Sequence, residues 1–275
     1  MIRAMVLNEW IKLRRRPAFL VTLFTFVALL GLMFGEAFVR EIQSGEGRFS
    51  LPGSWDDILT EPAPLTLLFS AAILILLVTS EFAWRTARQN VIDGMSREQW
   101  FAAKLLLVPV IAILFVAAQA GIGGTLAALA TDLRAADSAL VGQHDLHALA
   151  GLTLSALGMA ALAFCFAFVV RGPGPAIALF FLYIGVIEQL VLTTLLRRWD
   201  ALAPAVRYLP SRVFFTLIED TQYYPEAVAR AVAAAEKAGR AAPVFPDTGA
   251  LMTAAAIYTV VLVGVAYLVY RNRDL

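Results

Sequence analysis

The side chains that could do chemistry in this sequence are few, and the first of them interrupt an apolar run. Glu188 and Gln189 lie within the stretch 176–196, with Gly185 and Thr193 about one helical turn to either side. A carboxylate at membrane depth costs roughly 2.5–3.5 kcal/mol on insertion scales, so it indicates a functional site. We predict that Glu188 meets a cationic or amphiphilic substrate.

The position of Glu188 leaves a second interpretation open. It belongs to the outer third of its apolar run, where a carboxylate reaches interfacial water or pairs with Arg197 or Arg198. Glu36, near the outer end of the first apolar run, is interpreted as interfacial.

A metal site is the next chemistry that the residues suggest, because His144 and His147 flank Asp145. A structural zinc site needs about four ligands, and the one cysteine, Cys165, lies inside an apolar run. We therefore interpret Asp145 as the N-cap of the following helix and predict no metal. No serine has a credible set of histidine and aspartate partners, so we expect no catalytic residues and no enzymatic activity of the chain itself.

The elements that must position these residues are membrane helices. The chain has 275 residues, of which 60% are hydrophobic and 16% charged, and its mean hydropathy is +0.75. Soluble domains have roughly 45–50% apolar and about 25% charged residues. No basic block carries the interleaved aromatic residues of a nucleic-acid surface, so we expect no nucleic-acid partner.

Six apolar runs are each long enough to cross a hydrocarbon core of roughly 30 Å. They cover residues 18–39, 64–80, 105–130, 148–170, 176–196 and 250–270. The fold class is therefore all-α, a polytopic membrane protein that forms a single domain over residues 1–275, with an uncleaved first span. Cytoplasmic loops retain Lys and Arg, and this rule places both termini in the cytoplasm. The basic residues that decide the orientation are Arg3, Lys12, Arg14, Arg15, Arg16, Arg85, Arg88, Arg97, Lys104, Arg171, Arg271 and Arg273.

The segment 81–104 between the second and third runs predicts a helical hairpin. Residues 81–93 contain no helix breaker before Gly94, and Ser96 with Gln99 has the form of a capping box that starts the next helix. We expect the turn, with Arg97 and Glu98, to form a mixed apolar and charged tip suited to docking. The competing interpretation is a solvated loop that only obeys the positive-inside rule.

Two further segments flank the spans. Residues 1–17 predict an amphipathic elbow helix on the membrane surface. Residues 197–249 predict an ordered external cap, in which Ser211 caps a short apolar helix and a second, Ala-rich helix runs from Pro225 to Gly239. Small residues in the third and fourth runs favour close helix packing, with Gln119 bonded to a neighbouring helix. The Gly172–Pro175 segment predicts a tight turn between the fourth and fifth runs.

Several of these segments together resemble a known family. Glu81, then Arg85-Thr86, Gly94-Met95-Ser96-Arg97 and Lys104 resemble the first cytoplasmic loop of ABC exporter permeases of the type-two, bacitracin-resistance-like class. The stretch 9–17 is similar to that family's elbow helix, and 271–275 is similar to its usual ending. Tyr208-Leu209-Pro210 is similar to the opening of its last external loop. The resemblance covers almost the full length.

The resemblance implies a membrane-spanning permease subunit of an ATP-binding-cassette exporter in the bacterial cytoplasmic (inner) membrane, which moves a hydrophobic or amphiphilic substrate. The chain has no G-x-x-x-x-G-K-[ST] phosphate loop, so ATP and Mg are expected only on a separate ABC ATPase subunit, present in two copies. A second permease copy, identical or related, and membrane lipid are the other implied partners.

The family also implies roles for particular positions. The residues expected to couple to the ATPase are Arg85, Arg88, Ile92, Asp93, Gly94, Met95, Ser96, Arg97 and Glu98. The elbow residues expected at the same surface are Glu9, Trp10, Lys12, Arg14, Arg15 and Arg16. Spans two and five border the translocation path, which makes Gly185, Glu188, Gln189 and Thr193 the expected path residues.

Two other classes of function remain as alternatives. One is a proton-coupled secondary transporter that uses Glu188, against which stands the lack of a visible inverted repeat. The other is a non-transporting membrane scaffold, which would leave the polar face of the fifth span without a purpose.

Overall fold

Six long helices form the molecule, and they confirm the predicted all-α membrane fold. The structure, a computed structural model, describes residues 9, 11–45, 49–92, 94–131, 140–199, 202–220, 232–233, 235–237 and 248–273, and no strand occurs among them. Each long helix is apolar and long enough to cross a membrane. We call them spans one to six: Pro17–Ser44, Ala63–Ala83, Leu107–Ala130, Gln143–Val170, Pro173–Arg197 and Thr248–Arg271.

Shorter helices lie between the spans. Trp55–Thr60 precedes span two, while Thr86–Ile92 and Arg97–Leu105 form the hairpin between spans two and three. A 3₁₀ turn, Ala203–Tyr208, leads into the helix Pro210–Asp220. We call it the external helix because it belongs to the segment predicted to form the external cap. The Ala-rich helix predicted from Pro225 to Gly239 lies largely outside the described residues.

Contacts at the two ends of the bundle show that the spans alternate in direction. At one end, Arg16 before span one bonds Glu81 near the end of span two, with 2.9 Å between its Nη2 and Oε1. At the other, the backbone N–H of Leu51 donates to Thr131 Oγ1 at 2.8 Å. We call these the hairpin end and the loop end. The start of span one and the end of span six both lie at the hairpin end.

Span four is the centre of the bundle, and it packs against spans two, three and six and the external helix. Its buried residues include many small ones, among them Gly151, Ser155 and Gly158. Span three also approaches its neighbours through glycine, because a Cβ on Gly123 would lie 2.6 Å from Ile58 Cγ2. These contacts confirm the prediction that small residues in spans three and four serve packing.

The predicted hydrogen bond of Gln119 to a neighbouring helix is confirmed, and its side chain in fact bonds two helices. Its side-chain nitrogen donates to the carbonyl groups of Ile58 at 2.9 Å and Leu59 at 3.0 Å, and its oxygen accepts from the Thr66 hydroxyl. Gln119 therefore satisfies carbonyl groups in the last turn of the short helix Trp55–Thr60, which have no partner within that helix. One side chain thus fixes the short helix and span two to span three.

Replacing Gln119 by leucine is expected to lower the free energy of unfolding by about 2 kcal/mol. Three buried hydrogen bonds are lost, and hydrogen bonds between membrane helices average about 0.6 kcal/mol each. Denaturant unfolding of the detergent-solubilised chain measures the change. Thr66→Val, which removes only one of the three bonds, is the control and is expected to cost less than half as much. Equal losses in the two variants would contradict the role given to Gln119.

Two local predictions need correction. Residues 81–93 are not one helix, because span two ends at Ala83 and Arg85 adopts a left-handed conformation with φ 57°. The break turns the chain so that Ala87 is buried. Asp145 is not the N-cap, since span four begins at Gln143 and the Asp145 carboxylate accepts the Gly142 N–H from the third helical position.

The turn between spans four and five is confirmed but is shorter than predicted. It consists of Arg171, whose φ is 59°, and Gly172. Pro173 already occupies the first helical position of span five, where its missing N–H and fixed φ are favourable.

Candidate functional site

The hairpin between spans two and three has the predicted turn and cap. Gly94 has a φ of 102°, a conformation that favours glycine. The Ser96 hydroxyl accepts the Gln99 N–H at 3.1 Å, and the Gln99 side chain accepts the Ser96 N–H at 3.0 Å. This reciprocal pair is a capping box, so the start of the second hairpin helix is set by residues that the sequence identifies.

The predicted coupling residues divide into exposed and engaged groups. Arg85, Arg88, Ile92, Gly94 and Glu98 are exposed, and Ile92 is 67% exposed. Met95 is half-buried and packs against the core. Asp93 lies outside the described residues. The turn therefore presents an apolar side chain next to charged ones, in agreement with the predicted mixed tip.

Arg97 lies against the end of span six and not at a free tip. Its guanidinium donates to the carbonyl groups of Tyr270 at 3.2 Å and Arg273 at 2.6 Å. The Tyr270 hydroxyl donates in return to the Arg97 carbonyl at 3.0 Å. Arg97 thus satisfies carbonyl groups at the C-terminus of span six, where a cation is also favoured by the helix dipole.

Arg273 continues this connection to span four. Its guanidinium donates to the Val169 carbonyl at 2.7 Å, near the C-terminus of that span. The start of the hairpin's second helix is therefore joined to the ends of spans four and six. Sequence reasoning did not predict these contacts, because 173 residues separate Arg97 from Tyr270.

A buried group of four charged residues lies at the base of the hairpin, and we call it the ion-pair cluster: Glu9, Arg16, Glu81 and Lys104. Lys104 Nζ lies 2.5 Å from Glu9 Oε2 and 2.7 Å from Glu81 Oε1. Arg16 Nη2 lies 2.9 Å from the same oxygen, Glu81 Oε1. The cluster ties the elbow, span two and the hairpin's second helix together.

Neutral groups complete the cluster. Arg16 Nη1 donates to the Leu77 carbonyl at 2.7 Å and to Ser80 Oγ at 2.8 Å. Trp100 Nε1 donates to Glu81 Oε2 at 3.2 Å. Both oxygens of Glu81 therefore have donors.

The burial of the cluster determines how much its ion pairs contribute to the free energy of unfolding. Glu81 is 2% exposed and Lys104 1% exposed. The two carboxylates face the two cations of the cluster, and the more exposed Lys12 is a third cation beside Glu9. Removing one partner from such a buried pair costs about 3–5 kcal/mol, whereas an exposed pair contributes about 0–1 kcal/mol. The ion-pair cluster is therefore a rigid joint.

The elbow residues divide between this joint and the surface. Glu9 and Arg16 are in the ion-pair cluster, and Lys12 Nζ lies 3.2 Å from Glu9 Oε1. Arg14 and Arg15 are exposed, while Leu13 is buried. Residues 11–15 are helical, as predicted, and Trp10 lies outside the described residues.

Glu188 lies in the middle of a π-helix that interrupts span five, Tyr183–Leu192. Its carboxylate is fully buried, and Oε1 accepts the backbone N–H of Arg212 at 2.9 Å. The Arg212 guanidinium donates to Gln189 Oε1 at 2.7 Å. Span five is thus joined twice to the first turn of the external helix. Irregular π segments of this kind occur frequently at functional sites.

The cap predicted from Ser211 is wrong. The external helix begins at Pro210, and the buried Ser211 hydroxyl has no hydrogen-bond partner within the described residues. The carboxylate of Glu188 takes the capping role from another element, because it carries the negative charge that a helix N-terminus favours. Arg197 and Arg198, the alternative partners, are exposed.

The four predicted path residues do not share one face of span five. Gly185 is exposed, Gln189 is half-buried, and Glu188 and Thr193 are buried. The Thr193 hydroxyl donates to the Glu188 carbonyl five residues earlier, at 3.0 Å. Because the π-helix changes the angle between successive side chains, a regular helical spacing does not bring Gly185 to the same side as Glu188.

The external helix packs inside the bundle. Val213, Phe214 and Leu217 are fully buried, and the Phe214 ring occupies the notch at Gly158, where a Cβ would lie 2.0 Å from Phe214 Cε1. Tyr258 of span six donates to the Tyr208 carbonyl at 2.5 Å. This first part of the predicted external cap therefore fills the space between spans four, five and six.

No group of three or more potential metal ligands occurs within the part of the chain that the structure describes. No protein-family model matches the sequence, and no curated protein matches it at a significant level. The hairpin with its ion-pair cluster and the buried Glu188 are thus the two features from which a function can be argued.

Proposed function

We propose that this chain is the membrane-spanning permease subunit of an ATP-binding-cassette exporter. The observation that carries the proposal is the hairpin between spans two and three, which has an exposed apolar and charged tip and a base locked into the bundle. A solvated loop needs neither feature. The chain itself carries no phosphate loop, so a separate ABC ATPase subunit supplies the ATP and Mg chemistry.

The docking surface is the tip around Ile92, Gly94 and Glu98. Ile92 is exposed to solvent, and so is Glu98 beyond the turn, which suits a small protein interface with an apolar anchor. The basic residues at the hairpin end support a cytoplasmic position of this tip in a bacterial cell, since Lys and Arg are retained on that side. The start of span one and the end of span six lie on the same side.

The joints at the hairpin base transmit movement. Lys104 connects the hairpin's second helix to span two and the elbow, and Arg97 connects its start to span six. A push on the tip therefore moves these elements together as rigid bodies about an interface. Two permease copies, each on one ATPase, complete the transporter.

Span five and Glu188 border the translocation path in this proposal. The substrate is hydrophobic or amphiphilic, because the exposed face of span five is apolar apart from Gly185 and residues near its ends. Glu188 contributes by holding the external helix at the loop end of the path.

Replacing Ile92 by aspartate is expected to weaken association with the ATPase subunit at least about tenfold, because truncating an interface anchor costs about 2 kcal/mol or more. The measurement is co-purification of the two gene products and the ATPase rate of the reconstituted complex. Ile42→Asp is the matched control, since Ile42 is 65% exposed on span one at the loop end. Wild-type association of the Ile92 variant would refute the docking role of the tip.

A proton-coupled secondary transporter is the second candidate, and one observation favours it. Oε2 of the buried Glu188 carboxylate has no hydrogen-bond partner within the described residues. Transport by the purified chain alone, under a proton gradient and without an ATPase, would establish this candidate and exclude the exporter. No transport under these conditions, with transport restored by the ATPase and ATP, is the result we expect.

A further inference from the structure

The arginines at the hairpin end fall into two groups that differ in their partners. Arg16, Arg97 and Arg273 are engaged by carbonyl groups of the chain or by Glu81. The side chains of a second group are exposed and make no hydrogen bond or ion pair within the described residues. Four members of this second group belong to the elbow and to the segment that follows span two, and we call them the arginine patch: Arg14, Arg15, Arg85 and Arg88.

The fold brings the arginine patch together from two segments. Arg16 bonds Glu81 and places its guanidinium 5.8 Å from the centre of the Trp84 ring. The two patch residues of the elbow immediately precede Arg16, and Arg85 immediately follows Trp84. Arg88 lies three residues further on, in the first hairpin helix, Thr86–Ile92.

No acidic side chain among the described residues neutralises the patch. The carboxylates adjacent to it are Glu9 and Glu81, which are both buried and engaged by Lys104. Glu98 lies beyond the hairpin turn, at the tip. Four positive charges therefore have no carboxylate partner among the described residues and can bind an anion of the membrane.

The position of the arginine patch relative to the membrane surface indicates which kind of anion it binds. Span one begins one residue after Arg16, and span two ends one residue before Trp84. Arg15, Arg16, Trp84 and Arg85 are therefore at the level of the lipid headgroups. A protein partner in the aqueous phase would dock further from the membrane. Trp84 is 68% exposed, and tryptophan is enriched at this interface.

We propose that the arginine patch binds the headgroups of anionic phospholipids in the leaflet at the hairpin end. The hairpin is thus divided, with its base on lipid and its tip free for a protein partner. The inference requires only that the chain spans a membrane, so it stands apart from the proposed transport function. The phosphate of the headgroup accepts from the guanidinium groups, and the apolar chains of the lipid lie beside the exposed face of span one.

The test compares lipid retention by the full chain in nanodiscs containing dioleoylphosphatidylglycerol and dioleoylphosphatidylcholine. The probe is the amount of phosphatidylglycerol that remains bound after detergent exchange, measured by native mass spectrometry at increasing KCl. Arg85→Gln with Arg88→Gln, and Arg14→Gln with Arg15→Gln, are expected to reduce the affinity for phosphatidylglycerol roughly fivefold for each arginine removed. Lysine at the same positions should retain most of the binding.

Arg271→Gln is the matched control. Arg271 is exposed at the hairpin end but belongs to span six, which packs mainly on span four and the external helix. Its replacement should leave phosphatidylglycerol retention unchanged. The proposal is overturned if the paired glutamine variants retain phosphatidylglycerol as the wild type does. The patch would then be a binding surface for an acidic protein. The proposal is also overturned if Arg271→Gln loses as much lipid, or if phosphatidylcholine is retained equally.

Discussion

Replacing Lys104 by methionine is expected to lower the free energy of unfolding by about 3–5 kcal/mol. Methionine fills a similar volume but leaves Glu9 and Glu81 without the cation they share, at 2.5 and 2.7 Å. Breaking a buried pair on one side has this cost because the carboxylates stay desolvated while only the more exposed Arg16 and Lys12 remain beside them. Denaturant unfolding of the solubilised chain, together with the yield of inserted protein, measures the loss.

Lys12→Met is the matched control for this substitution. Lys12 also binds Glu9, at 3.2 Å, but its side chain is 32% exposed, and such a pair contributes about 0–1 kcal/mol. The same substitution thus compares the loss of a buried lysine with the loss of a more exposed one. If the two methionine variants unfold at the same denaturant concentration, the ion-pair cluster is not the joint described above.

A single methyl group on Gly158 is expected to destabilise the fold by about 2–3 kcal/mol. The new Cβ of Gly158→Ala would lie 2.0 Å from Phe214 Cε1 and 2.5 Å from Cζ, and the ring is fully buried. Overpacking of this kind costs about 1–3 kcal/mol, because side chains and backbone must shift. Thermal unfolding measures the loss, and faster proteolysis of the external helix would show where the strain is released.

Gly185→Ala provides the comparison for Gly158. A Cβ added to Gly185 would meet no atom within 4 Å, so alanine there should leave stability unchanged or raise it by up to about 1 kcal/mol. Combining Gly158→Ala with Phe214→Ala should cost less than the sum of the single changes, since the second removes the clash. Additive costs would indicate that Phe214 does not occupy the Gly158 notch.

The spans and the hairpin cap could be predicted from the sequence because both are local. Each span is a run of apolar residues, and the capping box needs only Ser96 and Gln99. The break at Arg85 was missed because no glycine or proline marks it; tertiary packing of Ala87 decides it.

The ion-pair cluster was missed because its members come from three segments of the chain. The sequence contains one indication of it, in the spacing of Glu81 and Lys104. Glu81 and Lys104 lie 13 and 10 residues from Gly94, so a hairpin folded at that glycine brings them to the same level. Glu9 and Arg16 had no such marker. The roles of Arg97 and Ser211 depend on span six and span five, which are distant in sequence.

The order of the charges along the chain has a consequence for biogenesis. Arg16 and Glu81 have both been synthesised before Lys104 leaves the ribosome, so Glu81 already has a cation when span two is inserted. Spans one and two can therefore associate as a pair whose carboxylate is neutralised, while span three is still absent. Lys104 is synthesised last and completes the ion-pair cluster by binding Glu9 and Glu81, which are already in place.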